Sequence, residues 1–224
     1  MFDAIAPRYD LLNRVLSAGI DRRWRARAIR SLRLTGRETL LDVCTGTADV
    51  ALEARTSGAA ARVLGVDFAG AMLSLGLGKI ARAGEASRIV LVRGDAMELP
   101  VPAASVDAVT VAFGIRNVQR PEIACREMAR VLRPGGRLAI LEFGVPRVPG
   151  VSALYLGYFK HVLPMIGRMV SGHNAAYSYL PASVGTFPPP AQFMATLEHA
   201  GFTDVQADSL TFGIVYLYTA VRSR

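Results

Sequence analysis

From residue 38 onward, short apolar runs alternate with segments whose apolar positions recur every three or four residues. The runs Glu38–Cys44, Arg62–Phe68, Ile89–Gly94, Val106–Phe113 and Arg137–Phe143 are rich in Val, Leu and Ile and read as strands. Between them, Thr47–Ser57, Gly70–Ala83 and Pro121–Leu132 carry helical spacing, the last closed by Arg133-Pro134-Gly135-Gly136. Apolar strands separated by helices predict a parallel sheet covered on both faces. Further on, Val151–Val170 reads as an amphipathic helix and Ser171–Pro190 as a loop rich in Tyr, Ser and Pro. Pro190–Ala200 follows as a helix with Gly201 as its C-cap. Asp204–Leu210 and Ile214–Val221 close the chain as strands joined near Gly213. Residues 1–37 predict helices: Leu11, Leu12, Val15 and Leu16 share one face, and Trp24, Ala28 and Leu32 continue the spacing after Asp21, a predicted N-cap. The pattern as a whole predicts an α/β fold: a seven-stranded, doubly wound, mostly parallel sheet, Rossmann-like in layout. One strand is antiparallel, helices precede the sheet and a cap is inserted near its C-terminal end.

With 224 residues, the chain is expected to form a single domain. Its zones are N-terminal helices (1–37), a sheet core (38–144), a cap (145–190) and a closing helix with a strand hairpin (191–224). Hydrophobic residues at 51% and charged residues at 20% exclude disorder. Cys44 and Cys125 lack a CxxC partner and read as small core residues of a reducing compartment. His161, His173 and His199 have no metal-ligand spacing, so no metal site is expected. The net charge of +8 is uneven, because residues 1–37 hold nine arginines against Asp3, Asp10 and Asp21. Arg22, Arg23, Arg25, Arg27, Arg30, Arg33 and Arg37 cluster there. They suit peripheral contact with an anionic membrane, or they form a solvated helix face. The stretch Val151–Val170 is interrupted by Lys160, His161, Pro164 and Arg168 and does not read as a membrane span. Phe2-Asp3-Ala4-Ile5 does not open a secretory signal. A cytoplasmic protein is expected, with membrane contact confined to the inner face.

The candidate chemistry lies beyond the carboxyl ends of the predicted strands, where open α/β sheets bind ligands. There the sequence places Asp42-Val43-Cys44-Thr45-Gly46-Thr47-Ala48-Asp49, then Gly65-Val66-Asp67-Phe68, then Gly94-Asp95-Ala96. Asp67 stands where an acid accepts both hydroxyls of a ribose. Gly46 lets a ligand approach the backbone, and Asp95 is suited to accept from an exocyclic amine such as that of adenine. The loop lacks the G-x-G-x-x-G that seats a pyrophosphate and carries Asp49 instead. Carboxylates repel phosphate and suit a cation, and S-adenosylmethionine joins a sulfonium and an ammonium to a ribosyl adenine. The alternative is a set of helix N-caps.

These motifs carry a family resemblance over nearly the whole chain. It resembles the class I methyltransferases and, more narrowly, the C-methyltransferases of ubiquinone/menaquinone biosynthesis. The likeness runs through Phe2-Asp3, Ile5-Ala6, Tyr9-Asp10 and Asn13, then Ser17, Gly19, Asp21 and Trp24-Arg25. It continues through Leu41–Thr47, Gly65-x-Asp67-Phe68, Gly94-Asp95-Ala96 and Leu99-Pro100. Its most diagnostic stretch is Phe113-Gly114-Ile115-Arg116-Asn117-Val118, with Arg133–Gly136, Leu141-Glu142-Phe143 and Tyr177-x-Tyr179-Leu180-Pro181 after it. Ala48 departs from it, standing where a second glycine is usual, and His173 stands where an acid is common.

The resemblance implies methyl transfer from S-adenosylmethionine to a ring carbon of a prenylated quinol. It implies a cofactor site at Asp42, Gly46, Thr47, Asp67, Phe68, Asp95, Ala96 and Ala112. Arg116, Asn117 and Tyr9 are the catalytic candidates. Arg116 cannot act as a base; it either holds a phenolate or a relay water, or it ties its loop down through an ion pair. Asn117 is placed to orient the ring and Tyr9 to close over the site. The stripe from Val151 through Leu154, Tyr158 and Val162 to Ile166 is a core face, or a wall for the prenyl tail. The Cys-Thr-Gly-Thr loop favours demethylmenaquinol as acceptor, with the methoxy-benzoquinol of ubiquinone synthesis, or both, as alternatives. A nucleotide-dependent oxidoreductase and an RNA-binding module are the distant alternatives. No nucleic-acid partner is expected, since no aromatic-basic stacking platform is evident. A homodimer is compatible with this reading.

Overall fold

The computed structural model describes residues 19–146 and 183–224, together with Ser17, Gly150 and Gly157. Tyr9, the stripe from Val151 to Ile166, His173 and the Tyr177–Pro181 loop lie outside the described residues.

The sheet has seven strands: β1 (Thr39–Val43), β2 (Arg62–Asp67), β3 (Ile89–Arg93), β4 (Val106–Ala112), β5 (Leu132–Phe143), β6 (Phe202–Leu210) and β7 (Val215–Arg222). Their order is β3-β2-β1-β4-β5-β7-β6. All neighbouring pairs from β3 to β5 are parallel, and β7 runs antiparallel to both β5 and β6. The order reverses between β1 and β4, which opens a crevice at their carboxyl ends. Helices α1 (Asp21–Ser31), α2 (Asp49–Thr56), α3 (Gly70–Arg82), α4 (Pro121–Val131) and α5 (Pro190–His199) cover the faces.

Alternation along the strands divides the core into two layers. Leu41, Val43, Val109, Val111 and Ile140 face one side, against Cys125 and Met128 of α4 and Phe193 and Leu197 of α5. Leu40, Ala108, Ala139 and Leu141 face the other, against Trp24, Ala28 and Ile29 of α1 and Ala51 and Ala54 of α2. Central strands buried on both faces are why the sequence reads as unbroken apolar runs.

Two expectations are corrected. Asp21 does not cap α1: Ile20 holds the cap position in a helical conformation with no side-chain hydrogen bond. Asp21 is the first helical residue and is buried; it accepts from Ser17 Oγ at 2.7 Å and pairs with Arg25, one turn on, at 2.7 Å. The fifth strand starts at Leu132 instead of Arg137, because Leu132 pairs with Val106. The Pro-Gly-Gly segment is therefore an excursion within β5, accommodated by a register shift between Val106 and Ala108.

Candidate active site

The site is built from four strand ends. After β1 the backbone enters the left-handed region at Cys44 (φ 55°), Gly46 (φ 56°) and Ala48 (φ 65°). This folds Thr45–Ala48 into a tight turn closed by Ala48 N–H on Thr45 O at 2.9 Å. Asp67, the last residue of β2, holds the turn: one carboxylate oxygen accepts from Gly46 N and the other from Ala69 N, each at 2.8 Å. One acid thus fixes both the glycine turn and the start of α3. Helix α2 begins only at Asp49, so Thr47 lies in the turn itself.

Ala48 bears a methyl where the chain turns left-handed, which costs a non-glycine residue about 1–2 kcal/mol. The methyl is buried against Gly76 of α3. Burying it gains about 0.8 kcal/mol, and alanine loses about 0.5–1 kcal/mol less conformational entropy than glycine. The departure from glycine at this position is therefore close to neutral.

Asp42 lies under the turn, 1% exposed, and accepts from Thr45 Oγ1 at 2.6 Å. Burial pushes its carboxyl up to about 7, against the Thr45 hydrogen bond and with the added repulsion of Asp67. Asp49 differs in environment: its carboxylate pairs with Lys79 and, at 3.4 Å, with Arg25 of α1. Asp49 therefore offers less charge to a cationic ligand than its place in the turn suggests. The Cys44 thiol is held well above its ordinary value by burial first and then by Asp67, Asp42, Glu142 and Asp95.

After β3, Asp95 accepts from Met97 N at 2.8 Å, and Ala96 is buried beside it. Phe68, after Asp67, exposes 69% of its surface, with the Arg93 guanidinium 5.7 Å from the centre of its ring. An aromatic ring left this open at the rim of a crevice is a ready surface for a flat ligand.

The fourth edge follows Ala112, where β4 ends. Phe113 turns left-handed (φ 59°), stacks on Phe143 at 4.5 Å and meets the edge of Trp24 at 6.1 Å. Gly114 lets this loop pass over β1, since a Cβ there would lie 2.4 Å from Cys44 Cβ. A short 3-10 turn, Ile115–Asn117, then carries Arg116 and Asn117. Arg116 is deeply placed. Its Nη1 donates to Glu142 at 2.7 Å and to Phe113 O, its Nε donates to Ser183 Oγ at 3.4 Å, and its guanidinium lies 5.3 Å from the centre of the Phe143 ring. Asn117 Nδ2 donates to Phe113 O at 3.4 Å.

Among the described candidates, the structure gathers Asp42 and Asp67 around the turn that carries Gly46 and Thr47. Phe68, Asp95 and Ala96 lie along the neighbouring strand ends, and Ala112, Arg116 and Asn117 at the far edge. Sequence reasoning gave no role to Glu142, Trp24 or Ser183. Glu142 had a readable signal: an acid at the end of an apolar strand, like Asp42 and Asp67.

This architecture, an open sheet with β7 alone reversed and acids at the carboxyl ends of β1, β2 and β5, defines a class I methyltransferase. The chain belongs to the ubiE/COQ5 methyltransferase family, whose model matches residues 1–222. It is 48% identical over 223 residues to a ubiquinone/menaquinone biosynthesis C-methyltransferase UbiE of Syntrophotalea carbinolica, covering 100% of this chain and 93% of that protein. It is 44% identical over 222 residues to a demethylmenaquinone methyltransferase of Thermus thermophilus, covering 99% of this chain and 100% of that protein. Its fold is similar to a phosphoethanolamine N-methyltransferase of Haemonchus contortus solved in complex with S-adenosyl-L-methionine. That likeness has a TM-score of 0.61 at 16% identity, over 84% of this chain and 49% of that one.

Proposed function

We propose that the chain transfers a methyl group from S-adenosylmethionine to a ring carbon of a prenylated quinol, with demethylmenaquinol as the acceptor. The observation that carries this is the placement of Asp42, Asp67 and Asp95 at the carboxyl ends of three neighbouring strands, with Asp67 holding the glycine turn between them. A nucleotide whose reactive end is cationic fits such a rim, whereas a pyrophosphate does not. S-Adenosylmethionine supplies an electrophilic methyl on a sulfonium. Asp67 would accept from its ribose hydroxyls and Asp95 from its adenine amine, with the open ring of Phe68 and buried Ala96 nearby. Asp42, Gly46 and Thr47 receive the amino-acid end, and Ala112 floors the crevice.

A quinol ring carbon becomes nucleophilic when a neighbouring hydroxyl loses its proton. Arg116 stabilises the resulting oxyanion, Asn117 orients the ring, and Tyr9 closes the site against water. The carbon–sulfur bond breaks as the carbon–carbon bond forms, and the ring proton then leaves to restore aromaticity.

Two relatives carry different printed names, and the Syntrophotalea protein's name covers both quinone pathways. That favours a second reading, in which a benzoquinol is also an acceptor. Labelled methyl transfer under reducing conditions separates the two, using a short-chain demethylnaphthoquinol and a methoxy-benzoquinol. Turnover of the first alone is expected, turnover of both supports the second reading, and turnover of neither overturns the quinol assignment.

The outward positions of α1 add a finer reading. Arg22, Arg23, Arg27 and Arg30 are exposed, as are Arg33 and Arg37 beyond its end. Among the described residues, no helix is long and apolar enough to cross a membrane. A basic face of this kind brings the enzyme to an anionic bilayer that holds its apolar substrate.

A further inference from the structure

We propose that Glu142 is a positioning residue for the methyl transfer, acting through Arg116. The inference rests on the reading of Arg116 as the group that holds the quinol oxyanion. Glu142 is the penultimate residue of β5 and has no exposed surface. Both of its oxygens are engaged. One accepts from Arg116 Nη1 at 2.7 Å and from Phe143 N at 2.8 Å; the other accepts from Arg116 N at 3.2 Å. A carboxylate so enclosed has no path to a proton on the substrate, so it does not serve as the base.

What it does is fix the arginine twice, once by the backbone and once by the side chain. The remaining contacts complete the arrangement: Phe113 O shares Nη1, Ser183 Oγ takes Nε, and the ring of Phe143 lies against the guanidinium. Among the described residues, Nη2 has no acceptor. The fork is therefore held along Nε and Nη1, and the two N–H groups of Nη2 remain for a ligand oxygen. Burial strengthens this logic. An arginine only 8% exposed needs a counter-charge to stay in place. Glu142 supplies it at Nη1, and the 3-10 turn cannot swing without breaking the Arg116 N bond.

The test is a double-mutant cycle with Glu142→Gln and Arg116→Gln, reading kcat and KM for the quinol. Calorimetric binding of S-adenosylmethionine and the melting temperature are read in parallel. Glu142→Gln keeps the shape of the side chain but places an amide donor against one of the Arg116 N–H groups. It is expected to lower kcat by about 10–100-fold while donor affinity stays within about twofold. On the Arg116→Gln background the same substitution is expected to change kcat by less than about twofold. If Glu142→Gln does not fold, Glu142→Asp carries the same cycle, since its shorter arm cannot reach both Arg116 N and Nη1. Full activity of the Glu142 variant overturns the proposal, and so does an equal loss on both backgrounds, which marks a structural role. Full activity of Arg116→Gln overturns the oxyanion reading itself, a different failure from the first two.

Discussion

Asp42 is the residue on which the pH behaviour of the site turns. Its carboxyl is raised from 3.8 to about 7, chiefly by burial. The folded chain therefore holds a proton that the unfolded chain has lost between about pH 4 and 7. Within that window stability falls as pH rises, by up to a few kcal/mol, and above it the contribution is flat. Asp42→Asn, which retains an acceptor for Thr45, is expected to remove this slope from melting curves taken across pH 5–8. Parallel curves for the two proteins would count against it. A cation beside Asp42 favours the carboxylate. Donor binding at pH 6 is accordingly expected to release a proton, seen as a buffer-dependent heat in calorimetry, and to release none from this group at pH 8.

At the scale of elements, the strand-end loops depend on close approach. Gly114 brings the Arg116 turn over Cys44 with no room for a methyl. Gly114→Ala must push the ends of β1 and β4 apart, and it is expected to cost about 1–3 kcal/mol of stability. Turnover should fall far more than donor affinity, because Asp67 and Asp95 lie on the other side of β1. Equal losses in both would contradict the geometry.

Helix α1 is tied to the same loops by two routes. Trp24 donates to Thr211 Oγ1 at 3.0 Å and lies edge-on to Phe113 and Phe143. Arg25 bridges Asp21 and Asp49. Most of these elements were legible in the sequence, because strands buried on both faces leave continuous apolar runs and the helices between them keep their period. The start of β5 was not, since Pro134 and two glycines look like a terminator when the pairing of Leu132 with Val106 is unseen. The Arg116–Glu142 pair was half legible. Each residue stands out where it is, but 26 positions separate them, and only the parallel pairing of β4 with β5 brings them together. Asp49 read as a free acid because its partners come from α1 and α3, far away in the chain.

At the scale of the whole molecule, charge is divided between two regions. Acids gather at the strand ends, and arginines line the outward positions of α1. Attraction of that helix to an anionic bilayer is screened by salt over about 10 Å at 0.1 M. The protein is expected to float with anionic liposomes at low ionic strength and to separate from them at high salt. Failure to float at low salt would leave the arginines as a solvated face.

In the proposed function, the crevice, the acids at its strand ends and the Arg116 guanidinium together account for transfer of a methyl to carbon. The most direct test uses a donor with a deuterated methyl and the demethylnaphthoquinol acceptor, with the product read by NMR and mass spectrometry. The label is expected on the ring carbon beside a hydroxyl, with that carbon's hydrogen lost. A labelled methyl ether on the quinol oxygen would contradict the account.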